Sequence, residues 1–126
     1  NFVSVILDKA VDRSQLTVVH DQVGSPTYTL DLAQMSLALV DAQATGIVHA
    51  VNSGQASWCE LASEAVSLSD GMTSVEPICS MDWPQKAKRP EYSVLSTALL
   101  TQLTGYQPRS WSQALRDFVF KLEARD

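Results

Sequence analysis

Three of the nine lysines and arginines in this chain fall in one short run. Lys86-Ala87-Lys88-Arg89-Pro90 is a compact cationic run, whereas no lysine or arginine occurs from Ser14 to Gln85, a span that holds Asp21, Asp31, Asp41, Glu60, Glu64, Asp70, Glu76 and Asp82. A guanidinium presents a fixed fork of donors suited to phosphate or carboxylate, and adjacent ammonium groups add point charge. A lone basic loop on an acidic chain therefore suggests a site for a small anion; the competing reading is a loop whose charges only face water. Other reactive groups are sparse. His49 lies inside an apolar run, where a histidine reads as a core residue, while His20 stands beside Asp21 at the mouth of a loop and is the better functional candidate. No serine sits in a nucleophile elbow. No glycine-rich turn follows a strand, and Tyr28, Tyr92 and Tyr106 are followed four residues on by Leu32, Ser96 and Ser110, so a Tyr-x-x-x-Lys pair is missing.

The scaffold for these groups has the composition of one soluble domain: 126 residues, 45% hydrophobic and 18% charged. A net charge of −5 argues against a broad embrace of nucleic acid or of an anionic membrane. No apolar run reaches the roughly 18 residues of a membrane span, and no basic stretch leads into an apolar leader. Cys59 and Cys79 lack metal-ligand spacing and read as reduced packing residues of a cytoplasmic protein. The first residue, Asn1, opens directly on a helical pattern, which suggests a chain cut from something longer.

Periodicity supplies the elements. Asn1 caps a helix with Phe2, Val3, Ile6, Leu7, Ala10 and Val11 on its apolar side. Leu16 to Val19 reads as a strand, and His20 to Thr27 as a loop. A second helix carries Leu30, Ala33, Leu37 and Val40 on one face and ends at Gly46 in a left-handed cap. Ile47 to Val51 has the character of a strand covered on both faces. Ser57 and Glu60 form a capping box before a helix burying Trp58, Leu61, Ala62, Ala65 and Val66, which Asp70-Gly71 stops. Val75 to Ile78 is an edge or irregular strand because of Pro77. Beyond the basic loop, Ser96 caps a short helix ended by Gly105, and Ser110 with Gln113 caps a last helix through Trp111, Leu115, Phe118, Val119 and Leu122. The class is α/β, with about five helices and a few short strands in a single unit spanning 1–126.

The run Asp21-Gln22-Val23-Gly24-Ser25-Pro26-Thr27-Tyr28-Thr29-Leu30-Asp31-Leu32-Ala33 closely resembles the DQ-x-G-x-PT…DLA segment of dTDP-4-dehydrorhamnose reductases, members of the extended short-chain dehydrogenase/reductase superfamily. The likeness continues through Gly46-Ile47-Val48-His49, Asn52-Ser53-Gly54, Ser57-Trp58, Val75-Glu76-Pro77-Ile78, Ala87-Lys88-Arg89-Pro90 with Ser93 and Leu95, and Ser110-Trp111…Ala114-Leu115. It implies the C-terminal, substrate-binding lobe of a Rossmann-type parent whose dinucleotide-binding half, with the catalytic Tyr-x-x-x-Lys, lies upstream. The intact enzyme would reduce the 4-keto group of dTDP-4-dehydro-L-rhamnose with hydride from NADPH or NADH. No cofactor, metal or catalytic residue is expected on this chain, which should be inactive alone.

Carried over residue by residue, Arg89 matches an arginine that contacts the substrate diphosphate, with Lys88 as its neighbouring alternative. Asn1 falls near an asparagine that touches the phosphates, and Gln22, Gly24, Pro26 and Thr27 line or shape the pocket floor. Ser96 stands where the family usually has an aspartate, one helix cap for another. The expected partner is a dTDP-sugar, with neither nucleic acid nor membrane; a homodimer is compatible with the resemblance. A rival reading makes the chain part of a reductase-like regulatory or scaffolding subunit that has lost catalysis, and a third makes it an independent small binding domain, which would need a complete sheet of its own.

Overall fold

A computed structural model describes residues 1–84 and 86–124. The element order is α1 (Phe2–Val11), β1 (Gln15–Val19), β2 (Val23–Gly24), α2 (Thr29–Asp41), β3 (Ala56–Ser57), α3 (Trp58–Leu68), β4 (Ser74–Ile78), a single 3-10 turn (Ser80–Asp82), α4 (Ala98–Thr104) and α5 (Trp111–Glu123). Among the described residues the strands form two small sheets: β1 runs parallel to β4, with Val18 opposite Pro77, and β2 runs antiparallel to β3. In a two-stranded sheet both strands are edges, so Pro77 finds the position its missing N–H demands.

Helix α3 is the spine. Its Ala62 and Val66 pack with Ile6, Leu16 and Val18 on the sheet side, while Leu61 and Ala65 pack with Leu115 and Val119 of α5 on the other. The i, i+3, i+4 spacing of these four residues places them on adjoining stripes, so one helix serves two clusters. Phe2 borders both. Both capping boxes form as their spacing predicts: Ser57 and Glu60 exchange hydrogen bonds at 3.1 and 2.7 Å, and Ser110 and Gln113 at 3.3 Å each way. Gly105, left-handed at φ 72°, ends α4. Ser96 lies one residue ahead of that helix's cap, Thr97, yet its hydroxyl still accepts from the Ala98 N–H at 3.3 Å.

Several expectations fail, each for a physical reason. Leu30, Ala33, Leu37 and Val40 do not face inward. Met35 and Asp31 are the buried residues of α2, while Leu37 and Val40 are 65% and 72% exposed. Periodicity identifies an apolar stripe but does not say that none of the described residues covers it. Among the described residues Ile47 to Val51 pairs with no strand, as expected of a strand whose neighbour would come from an upstream half, but it is not covered on both faces: Ile47 is 89% exposed, and His49 faces solvent rather than a core. Helix α2 ends at Asp41, and Gln43 (φ 51°) takes up the left-handed turn ahead of Gly46. Val11 is exposed beyond the reach of the core, and Trp58 is only half-buried, leaning on Phe2 with ring centroids 4.7 Å apart. Cys79 is an exposed thiol, not a packing residue, whereas Cys59 does pack against the core and burial pushes its thiol pKa up.

Candidate functional site

The segment after β1 is bound on three sides. Asp21 accepts the Ser80 N–H with both carboxylate oxygens at 3.0 Å and the Ser80 hydroxyl at 2.6 Å, bonds that hold its pKa below the usual carboxylate range. Gln22 donates from Nε2 to the same hydroxyl at 2.8 Å. One residue on, Val23 is bonded through its N–H to the Glu91 carbonyl and through its carbonyl to the Ser93 N–H, both at 2.9 Å. The Ser25 hydroxyl accepts from the Leu95 N–H at 3.0 Å. Residues 91–95 are thus laid along β2, and Arg89 is carried to the edge of this seam. A Cβ on Gly24 would stand 3.1 Å from the Ser93 hydroxyl, so glycine allows the two segments to approach this closely.

A second network fixes the other end of the loop. Asn52, almost fully buried, accepts the Tyr28 N–H at 2.8 Å and donates to Asp31 at 2.7 Å. Arg109 grips both Asp31 oxygens, through Nε at 2.8 Å and Nη2 at 2.9 Å, and also pairs with Asp117. Burial alone would raise the Asp31 pKa, but the Arg109 and Asn52 bonds outweigh it and hold the carboxylate below its ordinary range. The same carboxylates drive the Arg109 pKa upward. This cluster is far from the basic loop in sequence, and single-residue reading overlooked it; the only local hint was an aspartate placed among the apolar residues of α2.

Three concavities among the described residues bear on the site. One, of about 320 Å³, is lined by Gln22, Gly24, Ser25, Pro26, Trp58 and Arg89 among others. A second, about 340 Å³, has Phe2, Tyr28, Trp58, Trp111 and Phe118 as aromatic lining, together with Asn1, Pro26 and Thr27. The third is a groove of about 920 Å³ along β1, lined by four cations: Lys9 of α1, Arg13 just beyond that helix, Lys86 and Arg89. Arg89, Gln22 and Trp58 line both the first cavity and the groove. Of the residues singled out from sequence, Arg89, Gln22, Gly24 and Pro26 meet in one cavity. Thr27 and Asn1 meet in the aromatic one, where the Asn1 side chain caps α1 by accepting from Ser4 N–H at 3.1 Å. Lys88 lines none of the three, and its place at the basic rim is taken by Lys86. His20 contributes Nε2 to a 3.5 Å contact with the Cys79 sulfur.

A sequence profile described as the RmlD substrate binding domain matches residues 1–124. The chain belongs to the RmlD substrate-binding domain family. Among curated RmlD-like relatives, the spore coat polysaccharide biosynthesis protein SpsK of Bacillus subtilis is 40% identical over 94% of this chain and 41% of its own length. A dTDP-4-dehydrorhamnose reductase of Mycolicibacterium smegmatis is 41% identical over 94% of this chain and 37% of its own. The chain thus spans about two-fifths of the length of these relatives. The crystal structure of a dTDP-4-dehydrorhamnose reductase from Clostridium acetobutylicum superposes with a TM-score of 0.91 at 35% identity, covering 98% of this chain and 44% of that one. A Bacillus anthracis dTDP-4-dehydrorhamnose reductase solved in complex with NADP gives 0.86 at 33%, over 96% and 42%. A UDP-galactose 4-epimerase, at 14% identity and a TM-score of 0.74, shares the RmlD-lobe fold. The α/β class with five helices and few short strands agrees with these neighbours.

Proposed function

We propose that this chain is the sugar-nucleotide-binding lobe of a dTDP-4-dehydrorhamnose reductase acting in rhamnose and cell-surface polysaccharide synthesis. The observation that carries the reading is the position of Arg89, which lines both a small cavity and a long cationic groove. A diphosphate at that junction would place a sugar on one side and a nucleoside on the other. The guanidinium fork suits its charged non-bridging oxygens, and a charge-assisted bond is about twice as strong as a neutral one. Gln22, Gly24 and Pro26 then form the sugar-side wall, Lys86 reinforces the anion site, and Lys88 is an outer contributor of charge. Thr27 and Asn1 act on the wall behind, through loop and helix geometry.

The nicotinamide cofactor, NADPH or NADH, does not fit this lobe. None of its glycines opens a helix from a strand in the way a dinucleotide turn requires, so hydride transfer is assigned to an upstream dinucleotide-binding half. Two surfaces support such a half: the uncovered apolar stripe of α2 and the unpaired segment 47–51 that follows it. What this chain's residues do is bind and orient the substrate, in a protein of the cytoplasm; alone it gives no turnover with either cofactor. In the full-length protein, Arg89→Ala should raise KM for the dTDP-sugar at least about tenfold, the loss expected for one charge-assisted bond, while cofactor affinity is unchanged. An unchanged KM would reduce the basic loop to a solvated one.

A further inference from the structure

The cationic groove has one aromatic wall that the fold itself does not use. Phe2 and Trp58 also line it, but their rings are already engaged with each other. Trp83 is 45% exposed, and among the described residues its ring has no aromatic, cationic or hydrogen-bonding partner. Its backbone, in contrast, is held firmly. The Trp83 N–H donates to the Ser80 carbonyl at 3.3 Å and the Asp82 N–H to the Cys79 carbonyl at 3.0 Å. Ser80 is itself anchored to Asp21 through both its N–H and its hydroxyl. The indole is therefore presented at the end of a braced 3-10 turn and lines the groove together with Lys86 and Arg89.

A planar apolar face beside cations in a concave site is what a nucleotide requires, since the base stacks while the phosphates take the charge. We propose that Trp83 is the stacking platform for the base of the bound nucleotide. This rests on the sugar-nucleotide reading above and adds to it the direction of the ligand: base along the groove on Trp83, diphosphate at Arg89, sugar in the smaller cavity with Gln22 and Pro26. An acidic peptide would use the same cations but gain nothing from a flat ring, and a covering protein surface would bury Trp83 without any preference for a base.

The test uses the full-length protein with Trp83→Ala and Trp83→Phe, titrated calorimetrically with dTDP and with inorganic pyrophosphate. Trp83→Ala should bind dTDP at least about fivefold more weakly, the lower bound for one base–aromatic stack, with pyrophosphate affinity unchanged and Trp83→Phe close to the parent. Unaltered dTDP affinity in Trp83→Ala overturns the platform while leaving the Arg89 reading intact. An equal loss for dTDP and pyrophosphate also overturns it, because the turn would then have moved the cations. If the parent protein binds neither ligand, the sugar-nucleotide reading falls and the platform falls with it.

Discussion

Asp31 stays ionised inside the fold because Arg109 and Asn52 together supply three donors to its two oxygens. Removing one side of such a pair leaves the rest uncompensated, at about 3–5 kcal/mol when fully buried; Arg109 is a third exposed, so Asp31→Ala should cost about 2–3 kcal/mol in urea unfolding. Arg109→Lys should recover little of this, since an ammonium cannot grip both oxygens. At Gly24, alanine would press a methyl against Ser93 and ease residues 91–95 off β2, so Gly24→Ala should weaken dTDP-sugar binding with little change in melting temperature. Single residues were legible where their partners are near in sequence. The capping boxes close over three residues and were read correctly; Asp31 meets Asn52 and Arg109 across separations of 21 and 78, which no local pattern encodes.

At the level of elements, α2 and the segment after it are where periodicity misled. The stripe Leu30, Ala33, Leu37, Val40 is a real apolar face, and sequence shows that it exists without showing what lies against it. Exposed substitutions usually change stability by less than about 0.5 kcal/mol, so Leu37→Glu and Val40→Glu should leave the melting temperature of this chain nearly unchanged. If, as proposed, a dinucleotide-binding half covers the stripe in the full-length protein, the same pair should lower both stability and turnover there. A melt of each form, read by circular dichroism, checks both. Loss of stability in this chain alone would mean that the stripe is already covered. Segment 47–51 follows the same logic: its β-branched run was legible, but a strand needs a neighbour, and among the described residues it has none. Helix α3 is the most legible element, for its cap, its stop and its inward residues apart from the half-exposed Trp58 all lie within its own stretch of chain.

For the molecule as a whole, two clusters share one helix, so damage to α3 is felt on both sides. Leu61→Ala should cost about 3 kcal/mol, within the range for truncating a buried leucine. Acid should unfold the chain through its carboxylates. Asp31 and Asp21 have depressed pKa values in the fold, so their stabilisation is present above the ordinary carboxylate range and is lost as pH falls below about 4 and through the folded values. A denaturation series from pH 6 to pH 2 should steepen there, and Asp31→Asn should flatten it. The Asp31 network also bears on the order in which the chain is made. Asp31 emerges during synthesis long before Arg109, and until Arg109 follows, the first turn of α2 holds a carboxylate whose cation does not yet exist. Nascent chains stopped short of Arg109 should therefore remain open to protease around residues 25–41, and protection should arrive abruptly once the last helix has left the ribosome.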